Sequence, residues 1–166
     1  GCFGALRLLK NQVNQAVAAI KFANDNGLKL KYHINVSRTE GSGSNGVLCN
    51  LENIFAISKK HELIKHGWLS HEDFKKLVRT MDLGLQVSFT ETFNIVSADF
   101  VDMLVPVVVS KEINWIHKDC YANPTSIESI AETIDSIVNA KFCLKTYRNK
   151  KNLKRYVENA LVFWMK

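Results

Sequence analysis

Short apolar segments alternate with amphipathic helical segments along the whole of this chain. The apolar segments have the pattern of strands and cover residues 1–4, 28–36, 62–66, 83–88 and 105–110. Apolar residues recur at helical spacing in the segments between and after them, which predicts helices over residues 13–23, 47–58, 70–80 and 94–103, one that begins at Pro124, and one from about Lys151. Strands separated by helices pair in parallel, so this alternation constrains the fold strongly.

Right-handed crossovers between parallel strands leave helices on both faces of the sheet. We therefore expect one α/β domain over residues 1–166, with a three-layer αβα Rossmann-like fold and a mostly parallel sheet of about five or six strands. A length of 166 residues suits a single domain. In such folds ligands bind beyond the carboxyl ends of the strands, so the residues that follow each strand are the candidates for a site.

The composition argues against several other classes of protein. Hydrophobic residues make up 46% of the chain and charged residues 23%, which is ordinary for a globular domain. No apolar run reaches the ~18 residues needed to cross a bilayer, and no signal peptide is recognisable, so we expect a cytoplasmic protein. The four cysteines and five histidines show no metal-binding spacing, and no metal is expected. The tryptophans are expected to pack in the interior, namely Trp68, Trp115 and Trp164.

Positive charge is concentrated toward the end of the chain. The net charge is +6, and residues 141–166 contain eight basic side chains against one acidic side chain. A basic C-terminal helix could contact an anionic membrane surface or nucleic acid. A solvated helix face is the plainer alternative, and no nucleic acid is expected as a partner.

A turn with two cations follows the first predicted strand. Gly4 allows close approach of the backbone to a ligand, a helix begins soon afterwards, and Arg7 and Lys10 carry positive charge. A helix N-terminus with two cations would favour a phosphate. The segment has neither the G-x-G-x-x-G fingerprint nor a Walker loop, so two ordinary surface cations remain an equal interpretation.

Two carboxylates surround the helix start that follows the fourth predicted strand. Glu91 falls in the connecting loop, and Asp99 falls eight residues later, about a turn and a half into the helix. Backbone N–H groups around Phe93, Asn94 and Ile95 would point out of the helix start and suit a diphosphate. Carboxylates accept hydrogen bonds from sugar hydroxyls. Alternatively, Glu91 is a loop charge and Asp99 a solvent-facing helix residue.

Residues 88–110 resemble a signature of the C-terminal, donor-binding domain of GT-B-fold glycosyltransferases, in the large retaining group that uses nucleotide sugars. The family pattern S-x-x-E-G-F-G-x-x-x-x-E-A-x-x-x-G-x-P-V-V-x-S compares with SFTETFNIVSADFVDMLVPVVVS here. Glu91 and Asp99 align with the two family carboxylates at the same spacing. Gly4 and Lys10 match the spacing of the family's G-R-L-x-x-x-K turn, and the resemblance covers most of the chain.

The chain departs from the family pattern at several positions. Asp99 is one methylene shorter than the family's glutamate, and Ala5 stands where the family has arginine, although Arg7 nearby could substitute for it. Three glycines of the pattern are replaced, by Thr92, Asn94 and Leu104. The changes indicate a divergent branch or weakened donor binding, while the fold tolerates them.

The resemblance implies a role for each matching residue. Glu91 would hold hydroxyls of the donor sugar, and Asp99 would hold the ribose of the nucleotide. Lys10, together with Arg7, would neutralise the diphosphate leaving group, helped by the backbone at the helix start. Stabilisation of that charge is the main catalytic contribution available. Enzymes of this kind usually need no metal for this step, which agrees with the lack of an Asp-x-Asp motif, and no cofactor is expected beyond the nucleotide sugar.

The resemblance also implies a partner domain. The acceptor would bind a separate N-terminal domain, which these 166 residues do not include, so the chain is expected to be inactive alone. The alternative is a non-catalytic Rossmann-like interaction module that has lost the ligand, and the replaced glycines favour it. A nucleic-acid-binding domain fits less well, and so does a dinucleotide-dependent oxidoreductase, since its glycine fingerprint is absent.

Overall fold

The structure, a computed structural model, describes residues 1–41, 43–140 and 143–164. The helices and strands of this part, in chain order, are α1 Gln12–Asp25, β1 Lys31–Asn35, α2 Ser44–Ile57, β2 Glu62–His66, α3 His71–Val78, β3 Gly84–Gln86, α4 Ile95–Asp102, β4 Val107–Val109, α5 Ile127–Asn139 and α6 Cys143–Trp164. Two short 3-10 turns, Leu8–Lys10 and Lys118–Cys120, complete the set. The alternation of strand and helix is the one that the sequence pattern predicts.

All strand pairs are parallel. Strand β1 pairs with β2, and β3 pairs with β4. The first residues of the chain lie between the two pairs, because Cys2 forms a parallel bridge with Ile34 and the Leu85 N–H donates to the Gly1 carbonyl at 2.9 Å. The α/β class with parallel strands is thus confirmed.

The predicted strand count was wrong. The described residues contain four strands in two two-stranded sheets, not one sheet of five or six. The first segment contributes only single bridges because Gly4, with a φ of +111°, takes the backbone out of the extended conformation after three residues. Tyr121 likewise contributes a single bridge, to Val109.

The helices form two groups around the strands. Helix α1 packs against α2 and α5, while α4 packs against α3 and α6. The side chains of β4 are fully buried, and Phe100 of α4 is buried with them. This arrangement is typical of a parallel sheet that is covered by helices on both faces. No helix in the described part is long and apolar enough to cross a membrane.

The sequence places the start of α3 correctly, and the starts of α5 and α6 are two exceptions. The predicted cap at Ser70 is confirmed, since its Oγ accepts the Asp73 N–H at 3.1 Å. Helix α5 does not begin at Pro124 but at Ile127, because Ser126 is its N-cap and accepts the Ser129 N–H at 3.0 Å.

The second exception is α6, which begins at Cys143 rather than near Lys151. Its first turns are mostly polar, so apolar periodicity does not reveal them. They pack through a buried amide instead: Asn149 Oδ1 accepts the His117 N–H at 2.8 Å, and Asn149 Nδ2 donates to Cys120 Sγ at 3.4 Å.

Candidate functional site

A cleft of about 600 Å³ opens at the carboxyl ends of the strands. Its walls are the turn after the first segment, the loops after β1 and β2, and the loop and helix start after β3. Every site residue predicted from the sequence lines this cleft, namely Gly4, Arg7, Lys10, Glu91, Phe93, Asn94, Ile95 and Asp99. The fold therefore brings the two segments that the sequence singles out into one site.

The first turn is anchored against the end of β3. Asn11 adopts a left-handed conformation with a φ of +58°, and its Nδ2 donates to the Val87 and Pro124 carbonyls at 3.1 and 2.8 Å. The Phe89 N–H also donates to the Leu9 carbonyl at 2.9 Å. These bonds place Lys10, the residue before Asn11, beside the loop that contains Glu91.

A cation–carboxylate pair forms the floor of the cleft. Lys10 Nζ donates to Glu91 Oε2 and, at 3.4 Å, to Gln86 Oε1. Arg7 lies on the same carboxylate, with its guanidinium 3.7 Å from Glu91 Oε2. The side chains of Lys10 and Glu91 are each only 11% exposed. Two cations and one carboxylate are thus held together where the strands end.

The charge of Glu91 is fixed by its neighbours. Burial acts to raise the pKa of Glu91, but the hydrogen bond and charge of Lys10, the Thr92 N–H and the charge of Arg7 outweigh it, and the pKa lies below its ordinary value. Glu91 is therefore a carboxylate at neutral pH, so it can only accept hydrogen bonds.

Asn94 occupies the helix start where the family pattern has glycine. Its backbone is left-handed, with a φ of +56°, a conformation that asparagine tolerates better than most residues. Its Oδ1 caps the helix by accepting the Ser97 N–H at 2.7 Å, and its Nδ2 donates to Glu91 Oε2 at 3.1 Å. Leu104, at another replaced glycine, has a φ of +59°. The backbone conformation that suits glycine therefore persists at both positions.

Asp99 faces the cleft rather than solvent. Its side chain is 11% exposed, and its Oδ1 accepts a hydrogen bond from His71 Nε2 at 2.7 Å. The alternative of a solvent-facing helix residue is wrong, because α3 packs against α4 at this point and covers Asp99. Asp99 and the Lys10–Glu91 pair line the same cleft.

Trp115 and Trp68 differ in their exposure to solvent. Trp115 packs as expected, and its indole N–H donates to the Phe93 carbonyl at 2.7 Å, which steadies the loop before α4. The expectation that Trp68 packs was wrong: it is 75% exposed and lines the cleft, because it lies in the loop between β2 and α3. The side chain of Trp164 lies outside the described part of the chain.

The sequence argument missed several residues of the cleft. Trp68 and His71 follow β2, and Arg38 and Glu40 follow β1. The signal that could have found them is their position directly after a strand, since parallel strands end at the same edge of a sheet. The sequence predicts a helix cap at Ser70 and a packed Trp68 in the segment after β2, and neither feature indicates a site.

Two other features help to define the site. Among the described residues, no group of three or more histidine, cysteine, aspartate or glutamate side chains is placed to hold a metal ion. A second cleft, of about 510 Å³, opens at the opposite ends of the strands and is lined largely by apolar residues. It contains none of the residues that the sequence predicted for the site.

Comparison with known proteins finds solved structures with a similar fold and no matching sequence family. No protein-family model matches the chain, and no curated protein matches it. Solved structures do match. The chain is similar to a UDP-forming alpha,alpha-trehalose-phosphate synthase from Burkholderia vietnamiensis, with a TM-score of 0.80 and 12% identity, over 98% of this chain and 42% of that one.

Two further structures give the same result. One, from E. coli, is described as trehalose-6-phosphate bound with UDP-2-fluoro glucose, and matches with a TM-score of 0.78 and 16% identity over 95% of this chain and 40% of that one. The other is the N-terminal domain of Candida albicans trehalose-6-phosphate phosphatase, with a TM-score of 0.76 and 18% identity over 95% of this chain and 38% of that one.

At such low identities the similarity concerns the fold. The resemblance to the C-terminal domain of GT-B enzymes is confirmed at that level, and the chain has their Rossmann-like architecture. The chain spans about two fifths of the length of the structures that it matches.

Proposed function

We propose that this chain is the donor-binding domain of a glycosyltransferase, and that its cleft binds a nucleoside-diphosphate sugar. The observation that supports this most directly is the placement of Lys10, Arg7 and Glu91 on the floor of a cleft at the carboxyl ends of parallel strands. Ligands bind at this edge in α/β folds. The shared fold includes a UDP-forming synthase and a structure bound with a UDP-sugar, so UDP-glucose is the first ligand to test.

The diphosphate would lie against the two cations. Arg7 Nε is buried and has no hydrogen-bond partner among the described residues, so it is a donor without an acceptor. A phosphate oxygen would satisfy it, and a second would replace Glu91 as the partner of Lys10. The start of α4 adds a partial positive charge on the same side of the cleft.

Release of Glu91 from Lys10 would give it a second role. The freed carboxylate can accept hydrogen bonds from hydroxyls of the donor sugar. As the bond between sugar and diphosphate breaks, negative charge develops on the leaving diphosphate, and Lys10 and Arg7 stabilise it. Asp99, which lines the same cleft, would accept hydrogen bonds from the hydroxyls of the ribose.

The acceptor would come from outside this chain. The solved structures that share the fold are more than twice as long, which leaves room for a further domain. We therefore expect these residues to bind the donor without transferring the sugar. Robust sugar transfer by the chain alone, measured as release of free nucleoside diphosphate with an acceptor present, would contradict this division of roles.

A second candidate function is a non-catalytic interaction module. The observation that favours it is that the charges of the cleft are already paired: Lys10 with Glu91, and Asp99 with His71. Contact of the exposed basic residues of α6 with an anionic membrane surface, for example through Lys151, Lys154 and Arg155, would be compatible with either function.

A thermal-shift experiment separates the two functions. The chain is heated with UDP-, GDP- and ADP-sugars, and a ligand at a hundredfold excess over its dissociation constant should stabilise it by about 2.7 kcal/mol. For a protein of this size that raises Tm by about 5–10 °C. Lys10→Met should abolish the rise. Lys21→Met is the matched control, because Lys21 forms an exposed ion pair with Asp25 on α1, outside the cleft.

Each outcome has a definite meaning. A rise that Lys10→Met removes and Lys21→Met preserves supports donor binding at this site. No rise with any nucleotide sugar, from a chain that unfolds cooperatively, would refute the proposed function and favour the interaction module.

A further inference from the structure

Two polar contacts join α3 to α4, one inside the cleft and one outside it. His71 Nε2 lies 2.7 Å from Asp99 Oδ1, and Lys75 Nζ lies 2.7 Å from Asp102 Oδ2. His71 and Asp99 line the cleft, whereas Lys75 and Asp102 do not. The first contact is therefore available to a ligand, and the second shows what a purely structural tie between these helices looks like.

The His71–Asp99 contact leaves half of the carboxylate unused. Because a carboxylate oxygen accepts, the imidazole Nε2–H is the donor. Oδ1 is thereby occupied, while Oδ2 receives no hydrogen bond from any residue in the described ranges. His71 thus fixes the orientation of the Asp99 carboxylate. That orientation also sets the position of Oδ2, the oxygen that remains free to accept.

The cleft that contains this acceptor also has apolar residues in its lining. Trp68 is 75% exposed and Ile95 is 68% exposed, and both line the cleft with Leu69 and Phe74. An exposed aromatic face suits a planar ring, and a carboxylate suits a hydroxyl. A ribonucleoside offers both groups in one molecule, whereas a deoxyribonucleoside lacks one of the hydroxyls.

We propose that His71 is a specificity-determining residue, which orients Asp99 so that this end of the cleft selects ribonucleotides over their deoxy counterparts. The inference rests on the proposed function, since it requires that a nucleotide occupies the cleft. His71 acts through Asp99 and is a positioning residue. Asp99 is short and has one free oxygen, so discrimination between the presence and the absence of a single hydroxyl depends on holding that oxygen in place.

The test compares affinities for matched nucleotides by isothermal titration calorimetry. UDP is measured against 2′-deoxy-UDP and 3′-deoxy-UDP, with the GDP and ADP series if UDP does not bind. We expect the wild type to prefer the ribonucleotide to at least one deoxy form by about tenfold. His71→Ala should reduce the preference to about twofold.

Two variants separate positioning from stability. His71→Gln places an amide N–H near the position of the imidazole Nε2–H and should keep most of the preference. Lys75→Met removes the other tie between α3 and α4 and should keep all of it. Unfolding midpoints in urea, measured for each variant, show how much stability each change removes.

The outcomes can be told apart. An unchanged preference in His71→Ala would overturn the inference, and so would an equal loss in Lys75→Met. Nucleotide binding with no ribose preference in the wild type would overturn the inference and leave the proposed function intact. If no nucleotide binds at all, both are overturned.

Discussion

Glu91→Gln is the substitution that probes the floor of the cleft most sharply. It removes one negative charge and keeps the shape of the side chain. In the present structure Glu91 Oε2 accepts from Lys10 and, at 3.1 Å, from Asn94, and it lies 3.7 Å from the guanidinium of Arg7. A glutamine oxygen can still accept from these donors, so the fold should persist.

The magnitude follows from Coulomb's law. A phosphate in contact with Lys10 would place its charge roughly 5 Å from Glu91, where two unit charges repel by about 3 kcal/mol at an effective dielectric constant of 20. Screening and partial solvation reduce this, and about 1.4 kcal/mol is a cautious value. Because that amount is a factor of ten in affinity, Glu91→Gln should bind inorganic pyrophosphate about tenfold more tightly than the wild type.

The sugar should respond in the opposite direction. If the freed carboxylate accepts from sugar hydroxyls, the ratio of UDP-glucose affinity to UDP affinity should fall in Glu91→Gln, by about tenfold for one hydrogen bond to a charged acceptor. Calorimetric titration with pyrophosphate, UDP and UDP-glucose measures both effects. Glu62→Gln is the control, since Glu62 pairs with Lys29 outside the cleft.

The pH dependence of the effect of Glu91→Gln provides a second test. The pKa of Glu91 is lowered in the folded chain, so the stability contributed by its ion pair is present above the ordinary carboxyl pKa of about 4.3 and is lost as the pH falls through the lower folded value. Glu91 therefore keeps its charge down to about pH 5, and the difference in pyrophosphate affinity between wild type and Glu91→Gln should persist over that range. Equal or weaker pyrophosphate binding by Glu91→Gln at pH 7 would refute this account of the site.

The remaining predictions concern the scaffold. A Cβ at Gly84 would lie 2.8 Å from Cγ of the buried Phe100 ring. Gly84→Ala should therefore lower the unfolding free energy by about 2 kcal/mol and Tm by roughly 4–8 °C, and Phe100→Leu should partly restore the stability. Equal stability of Gly84→Ala and the wild type would show that β3 and α4 do not pack so closely. Burial lowers the pKa of His33 to about 4, with His66 and Lys31 adding to the effect. Between about pH 6.5 and 4 the unfolded chain therefore binds a proton that the folded chain does not, and stability should fall as the pH drops through that window. His33→Gln should flatten that fall in urea unfolding at pH 7 and 5, and an unchanged slope would contradict it.

The sequence alone predicts the floor of the cleft well. Lys10 and Glu91 lie in turns at the ends of parallel strands and Asp99 lies in the next helix, so all three line one cleft. The residue pattern alone left ordinary surface charges as an equal interpretation, and the resemblance to GT-B enzymes singled these residues out. The cap of α3 at Ser70 was equally visible, because it depends on residues three positions apart.

The parts that the sequence did not reveal depend on tertiary contacts. His71 meets Asp99 only because α3 packs on α4, and no local pattern specifies that packing. Trp68 is exposed in a place where composition favours burial. The early start of α6 depends on the buried amide of Asn149, which has no apolar signature.

The structure also changes the interpretation of the three positions where this chain lacks the glycines of the family pattern. Asn94 and Leu104 keep positive φ values, so the backbone at these positions retains the geometry that glycine would have. Thr92 is not among the described residues with positive φ, so this position makes no such demand. The replaced glycines therefore support a lost site less strongly than the sequence pattern alone suggested.

The central claim is that a nucleoside-diphosphate sugar binds at the carboxyl ends of the strands. Titration of ¹⁵N-labelled protein with UDP-glucose, or with whichever nucleotide sugar stabilises the chain, locates the ligand by its effect on amide resonances. The account predicts shifts at Gly4–Lys10 and Thr92–Val96 and none at the opposite cleft near Leu30 and Leu83. Shifts confined to that opposite cleft, or none with any nucleotide sugar, would contradict it.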